Sequence, residues 1–146
     1  MKKSAVRVLA LMLLLSNIFS PVAYADSFPN TPRNSAYIDY YIAGINSPSY
    51  GQAQVWFSVG ANVVSDVIGT LTILLQESDD CENATTVKTF SYINYPNMIK
   101  MDANFIASSV ICSVEHGHYY KARLTFYVSN NGESDSRIYE TNWIYI

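Results

Sequence analysis

Charged residues make up only 14% of this 146-residue chain, and no segment spaces its apolar residues as an amphipathic helix does. The low charge and the twelve tyrosines are typical of a strand-forming composition rather than a disordered one. Basic residues are scarce: there are nine, and Lys2, Lys3 and Arg7 lie at the very start. After residue 25, six basic residues stand against twelve acidic ones, so the net charge of −6 argues against nucleic acid and anionic membranes as partners.

Long hydrophobic runs are also missing, apart from the short run Val8–Leu15 near the N-terminus. This run follows basic residues and precedes Ala23-Tyr24-Ala25, which has small residues where signal peptidase reads them. The pattern predicts a secretory signal peptide over 1–25, cleaved before Asp26, a flexible lead-in over 26–34, and one domain over 35–146. An N-terminal membrane anchor is the alternative, but the run is too short to span a bilayer. We therefore expect a secreted, extracellular protein without a membrane span.

Residues for catalysis are few, because the chain has only two histidines. His116 and His118 flank a glycine in a turn, and the nearby nucleophile candidates are Cys112 and Ser113. A hydrolase using these groups is a weak alternative, because the sequence has neither a nucleophile turn nor a recognisable oxyanion site. Histidines in such turns are usually solvated. The sequence therefore predicts a protein that is not an enzyme.

Metal-binding spacing is absent as well. His116 and His118 could meet Asp79, Asp80 or Glu82 from a neighbouring loop and hold a divalent ion, but no ligand spacing supports this. The same three acidic residues lack the pattern of a calcium loop. We therefore predict no metal and no cofactor.

The only two cysteines, Cys81 and Cys112, predict a disulfide, because an even count in an exported domain is typical of one. The bridge would close a loop of about 31 residues and stabilise the fold by roughly 3.7 kcal/mol. The alternative is two separate thiols.

The most informative stretch is His118–Val128, where apolar and polar residues alternate strictly for eleven positions. Such alternation predicts a long strand with one face in the core and one in water. Val114 lies six residues before Tyr120, with a glycine-containing turn between them. This is the spacing of a tyrosine corner, in which the hydroxyl of Tyr120 hydrogen-bonds to the upstream backbone.

Turn signals separate seven predicted strands without any helical period, which indicates an all-β, immunoglobulin-like (fibronectin III-like) Greek-key β-sandwich. The predicted strands are 36–45, 52–62, 67–77, 85–92, 104–114, 118–128 and 137–146. In the second, Trp56 should face outward. In the third, Leu71, Ile73 and Leu75 should face inward. If Tyr120 lies opposite Ile146, strict pairing would place Glu140 and Asn142 on the core face. We therefore expect a β-bulge between Glu140 and Trp143.

Several segments together resemble a group of small secreted proteins of unknown function from Gram-positive bacteria. They are Ile68 to Gln76, Gly117 with Tyr120-Lys121-Ala122, Asn131-Gly132-Glu133 and Ile144-x-Ile146, within residues 50–146. Members usually have an aromatic residue after the Leu-Gln strand, where this chain has Asp80-Cys81. The resemblance implies a fibronectin III-like sandwich and no particular activity.

Outward aromatic residues on the last strands form the predicted binding site. Its members are Tyr119, Arg123, Tyr127, Tyr139, Trp143 and Tyr145, with Thr70 and Thr72 of the third strand as candidates to join them. Aromatic rings with arginine and hydroxyl groups can stack on sugars or form hot spots for proteins. The main hypothesis is an extracellular binding module for a polysaccharide or cell-envelope component. The alternatives are a protein-interaction or structural module and an ordinary sheet surface on which aromatic residues only stabilise strand pairing.

Overall fold

The computed structural model describes residues 37–146 and confirms the all-β class. The strands are β1 (Ile38–Asn46), β2 (Gln52–Ser78), β3 (Thr85–Ser91), β4 (Ile99–Ser113), β5 (Tyr119–Asn130), β6 (Glu133–Glu140) and β7 (Ile144–Tyr145), with one 3-10 turn at Pro96–Met98. The predicted signal peptide, its cleavage position and the lead-in 26–34 lie outside the described residues. Within 37–146, no helix is both long enough and apolar enough to cross a membrane.

β2 is the longest strand and pairs with four others, always in antiparallel fashion. Its first part, 52–60, lies between β1 and β4; its second part, 65–78, has β5 on one edge and β4 and β3 on the other. The prediction of two separate strands here is wrong, because the backbone stays extended through Val63 and Val64, whose β-branched side chains favour that conformation. The register with β4 shifts in this region, which is how a strand bends without ending.

The bent β2 makes the seven-stranded sheet curl around one hydrophobic core. Phe126 of β5 is fully buried there, and its ring lies 5.3 Å from the ring of Tyr41 and 6.3 Å from that of Phe57. β1 and β5, which β2 separates in the order of the sheet, therefore meet at one aromatic contact. The described strands establish a curled antiparallel sheet, and the finer assignment to an immunoglobulin-like sandwich stays a prediction.

β5 and the first part of β2 follow the alternation that the sequence predicted. The buried side chains of β5 are Tyr120, Ala122, Leu124, Phe126 and Val128. Those of β2 are Ala53, Val55, Phe57, Val59 and Ala61. Trp56, on the other side of β2, is 40% exposed. Both alternations are confirmed, and each fully buried large apolar side chain stabilises the fold by about 1.5 to 3 kcal/mol.

The second part of β2 departs from the predicted alternation at Leu71. Ile73 is buried as expected, but Leu71 is only partly buried, and Ile68 and Thr70 take inner positions instead. The pairing with β5 shifts by one residue between Thr70 and Thr72. Leu71 is therefore the extra residue of a β-bulge, where inner and outer faces exchange.

The last predicted strand, 137–146, is interrupted and forms β6 and β7. Arg123 pairs with Glu140 and Tyr120 pairs with Ile144, so the register shifts by one residue between these pairs. The irregularity lies where the β-bulge was predicted. The pairing of Tyr120 with Ile146, from which the bulge was argued, is not the observed one, because β7 is displaced by two positions.

Thr141 explains how the chain crosses this interruption. Its side chain is buried, its N–H donates to the carbonyl of Ala122 at 2.9 Å, and its hydroxyl accepts the N–H of Ala122 at 2.9 Å. The hydroxyl thus takes the place of a backbone carbonyl that the irregular segment does not supply. Buried backbone groups need hydrogen-bond partners, so the hydroxyl of Thr141 satisfies the N–H of Ala122 where the strand is interrupted.

A two-residue hairpin joins β5 to β6, as the Asn-Gly pair predicts. Asn131 and Gly132 have φ values of 52° and 82°, and Asn130 pairs directly with Glu133. The N–H of Asn131 also donates to Asp66 at 2.8 Å. Both central residues thus have the positive φ values that this tight turn requires.

The predicted disulfide is absent, because Cys81 and Cys112 are not bonded to each other. Cys112 lies opposite Ala53 and packs partly buried against the core, and burial raises the pKa of its thiol. Cys81 lies in the loop after β2, which is organised around Asp80 instead. The carboxylate of Asp80 accepts hydrogen bonds from the hydroxyl of Ser78, the backbone N–H groups of Glu82 and Asn83, and the side-chain amide of Asn83. These bonds hold the pKa of Asp80 well below its usual range.

The hydroxyl of Tyr120 reaches the upstream backbone, as its spacing predicts, but at Glu115 rather than at Val114. Its hydroxyl donates to the carbonyl of Glu115 at 2.8 Å and lies 2.6 Å from a carboxylate oxygen of Glu77. Val114, the residue named from the sequence, instead donates its N–H to Gly51 at 2.9 Å. Burial, and then the bond to Glu77, raises the pKa of Tyr120 far above its ordinary value.

Candidate ligand-binding surface

The outward side chains of β5 and their neighbours on β6 and β7 form one surface, which we call the last-strand face. Tyr119 lies directly opposite Tyr145, and the centroids of their rings are 5.1 Å apart. Tyr127, further along β5, borders a cavity of about 300 Å³ that is also lined by Leu71 and Tyr92. Three of the aromatic residues predicted for the site, Tyr119, Tyr127 and Tyr145, therefore share this face or its border.

Trp143 lies in the segment between β6 and β7, beside a charged group of the last-strand face. The ammonium group of Lys121 lies 4.9 Å from the centroid of the Trp143 ring, which is cation-π geometry. Glu140 accepts a hydrogen bond from Lys121 at 3.0 Å and lies 3.7 Å from the guanidinium of Arg123. Two cations thus share one carboxylate, and the face has a local excess of positive charge on a chain whose net charge is −3.

Two residues predicted for this site lie on the inner side of the sheet instead. Tyr139 pairs with the buried Leu124, and its ring meets Tyr41 at 6.1 Å and Phe126 at 6.4 Å. Thr70 is fully buried opposite Phe126. A one-residue shift of register exchanges the inner and outer faces of the strand in both cases. The shift lies at Thr141 for Tyr139 and at Leu71 for Thr70. Thr72 does lie outward and donates a hydrogen bond to Thr125 at 3.2 Å.

A chain of ring contacts continues the last-strand face around the end of the sheet. From Tyr145 it runs to His116, whose ring centroid is 6.4 Å away, and from His116 to Tyr50, which stacks on it at 4.5 Å. Tyr50 is 82% exposed and Tyr145 is 59% exposed. Tyr119, Tyr145, His116 and Tyr50 thus form one continuous row of aromatic rings. Sequence reasoning missed Tyr50 and His116 as members of this row, because the loops that carry them are distant in sequence and meet only in the folded protein.

The second histidine joins the loop after β2 to the turn before β5. Nδ1 of His118 lies 2.6 Å from Asp79, and its Nε2 lies 3.8 Å from Glu115. The turn before β5 and the acidic loop after β2 therefore lie side by side. Among residues 37–146, no group of three or more His, Cys, Asp or Glu side chains is arranged to hold a metal ion.

The pairing of His118 with Asp79 predicts a pH-dependent contribution to stability. The hydrogen bond to Asp79 raises the pKa of His118 in the folded protein, so folding favours the protonated ring. The stabilisation relative to His118→Gln should be fully present below about pH 6.5 and should disappear as pH rises through the raised folded pKa. Urea midpoints of both proteins at about pH 5.5 and about pH 9 measure this difference.

The control for this prediction is His116→Gln, since His116 stacks on Tyr50 and makes no contact of the kind that joins His118 to Asp79. Its urea midpoint should differ from that of the unmodified protein by a similar amount at both pH values. An equal loss of stability for His118→Gln at both pH values would contradict the assigned pairing.

No family model, curated protein or solved structure matches this chain. The chemistry of the exposed surfaces is therefore the basis for the functional assignment. Exposed rings beside cations and hydroxyl groups can stack on the apolar faces of sugars and bind acidic groups on the same ligand.

Trp56 lies on the opposite outer face of the molecule, as its position in the alternation predicts. Two further exposed aromatic residues, Tyr40 of β1 and Phe105 of β4, share that face. Sequence reasoning did not group these three, because they come from strands that are far apart in sequence. The register of β1, β2 and β4 is what brings them together.

Proposed function

We propose that this protein is a secreted, non-enzymatic module with an immunoglobulin-like sandwich that binds a polysaccharide or cell-envelope component through the last-strand face. Export is supported by the basic residues, apolar run and small residues before Asp26. The sandwich assignment is supported by the curl of the sheet around one core and by the hydrogen bond of Tyr120 to the upstream backbone.

The arrangement around Trp143 is the single observation that carries this proposal. Its partly exposed ring lies beside Lys121 at 4.9 Å, and Arg123 shares the carboxylate of Glu140 with that lysine. A sugar that stacks on the ring would place an acidic substituent near two cations. Stacking and charge then favour the same class of ligand, an acidic polysaccharide of the cell envelope.

Replacing Trp143 by alanine should weaken retention on cell-wall and acidic polysaccharide fractions by about tenfold, because stacking and the cation-π contact are lost together. The measurement is a pull-down on each fraction over a series of protein concentrations. The unmodified protein and the variant are both full-length and are prepared in parallel. Retention should also fall as salt is raised, since the charged contacts are exposed.

Trp56→Ala is the matched control, since it removes the other tryptophan from the opposite face. It should leave retention on the acidic fractions unchanged. Equal retention of the Trp143→Ala variant and the unmodified protein would contradict the proposal. The last-strand face would then not be the binding site, and its aromatic residues would be ordinary sheet surface.

Protein recognition is the second candidate function, and the cavity beside Tyr127 favours it. The cavity combines aromatic and aliphatic walls from Tyr92, Tyr127 and Leu71, which is the kind of pocket that receives an anchoring side chain. Under this alternative, replacing Trp143 and Tyr127 together would change the oligomeric state or the binding of a partner protein. The unmodified protein itself would then not be retained on polysaccharide.

A further inference from the structure

The outer face of β1, the first part of β2 and the second half of β4 carries no charged side chain. Their register places four outward residues of each strand in cross-strand rows. The exposed apolar members are Tyr40, Ile42, Trp56, Phe105 and Ile111. The remaining positions are glycine, alanine, serine, asparagine and glutamine. We call this surface the Trp56 face.

Two of its aromatic rings lie over glycines of the neighbouring strand. A Cβ atom added to Gly44 would overlap the ring of Trp56, and one added to Gly60 would overlap the ring of Tyr40. The glycines therefore leave room for both rings against the sheet, with their faces available to solvent. Phe105 lies next to Tyr40, with ring centroids 6.4 Å apart and planes inclined by 31°.

Packing over the two glycines orders the side chains of Trp56 and Tyr40 in the absence of a ligand. Ordered rings lose little conformational entropy on binding, so more of the stacking energy contributes to affinity. Gly44 and Gly60 are about 13 Å apart along the strand direction, which is the length of four extended residues. A ligand that uses both rings is therefore an oligomer with repeated flat apolar faces.

Neutral polar groups lie between and beside the rings. The hydroxyl of Tyr40 is 3.4 Å from that of Ser58, and the amide of Gln54 donates to the hydroxyl of Ser109 at 3.2 Å. Hydroxyl and amide groups can donate and accept hydrogen bonds, as sugar hydroxyls also do. The face thus alternates apolar rings with uncharged hydrogen-bonding groups.

The size and charge of the face decide between possible occupants. Four rows across three strands cover about 400 Å², roughly half the area that each partner buries in a stable protein complex. A second copy of the chain would therefore find too little surface here. An anionic ligand would find no cation on the face, and the nearest charge along β1 is the carboxylate of Asp39.

We propose that the Trp56 face is a second binding site that takes an uncharged glycan chain, with pyranose rings stacked on Trp56 and Tyr40. The proposal goes beyond the function assigned to the last-strand face, because it concerns the opposite side of the core and a different class of glycan. It holds or fails independently of ligand binding around Trp143.

Affinity electrophoresis of the full-length chain through gels containing hydroxyethyl cellulose or dextran tests the proposal, with alginate as the acidic comparison. The unmodified protein should be retarded by at least one of the neutral glucans. Trp56→Ala should weaken this retardation by about tenfold. Gly60→Ala should weaken it as well, because the added methyl group displaces the ring of Tyr40 without removing any aromatic side chain.

Trp143→Ala is the control and should leave retardation by the neutral glucans unchanged, while Tyr40→Ser provides a second variant should Trp56→Ala fold poorly. Circular dichroism confirms that the variants compared are folded. The proposal is overturned by an absence of retardation in both neutral glucans, or by full retardation of the Trp56→Ala and Gly60→Ala variants. It is also overturned if sedimentation reveals a dimer that Trp56→Ala dissociates, since a second copy would then occupy the face.

Discussion

Replacing Gly69 by alanine should lower the free energy of unfolding by about 4 kcal/mol, among the largest losses expected for one added methyl group. Gly69 has a φ of +153°, which residues with a side chain rarely adopt. An added Cβ would overlap the carbonyl oxygen of Met98 and lie 2.7 Å from the Cα of Ile99. Both obstacles are backbone atoms where the 3-10 turn joins β4, so relief requires moving the backbone of that junction.

Gly132→Ala separates backbone strain from this overlap. Gly132 also has a positive φ, +82°, but no atom lies within 4 Å of an added Cβ. It should therefore cost only about 1 to 2 kcal/mol, the penalty of the left-handed conformation. Urea unfolding followed by tryptophan fluorescence measures both variants. Equal losses for the two would show that the approach of β4 to Gly69 does not restrict this position.

Replacing Phe126 by alanine should destabilise the fold by about 3 to 5 kcal/mol, the usual range for removing a buried phenylalanine. The ring is fully buried and meets three others, those of Tyr41, Phe57 and Tyr139. These partners come from β1, β2 and β6, so one cavity would loosen contacts between strands on both sides of the curled sheet. Thr70, directly opposite Phe126, is already fully buried, and its short side chain is too small to fill the space of the lost ring.

The matched control is Tyr127→Ala, on the neighbouring residue of the same strand. Tyr127 is only partly buried on the outer face, so its removal should cost less than about 1.5 kcal/mol. Thermal and urea unfolding should rank the two variants in this order. A Phe126→Ala protein as stable as the Tyr127→Ala protein would mean that the core does not depend on this aromatic contact.

The strict alternation from His118 to Val128 was enough to predict which side of β5 is buried. Every apolar residue on its inner side is buried, because a strand with period two and one apolar face has only one favourable orientation. The Asn131-Gly132 turn was predictable for a similar local reason, since few other residue pairs adopt its backbone angles. These features depend on neighbouring residues in the chain.

The composition of the candidate surfaces was only partly predictable. Tyr139 was assigned to the outer face from simple alternation with Trp143, but the buried Thr141 shifts the register between them. Leu71 was misplaced for the same reason. A bulge depends on which partner supplies each hydrogen bond, so a strand considered alone does not reveal it. The disulfide prediction failed because spacing and cellular context do not indicate whether two cysteines meet.

By itself, the sequence determined the all-β class, the buried face of β5, the first part of β2 and the turn that joins β5 to β6. These follow from side-chain periodicity and the local conformations of turn residues. Only the tertiary structure decided that β2 is one bent strand, that Tyr50 and His116 extend the last-strand face, and that Tyr40, Trp56 and Phe105 share another. The reason is physical: pairing between distant strands, with one-residue shifts at the bulges, sets which side chains become neighbours.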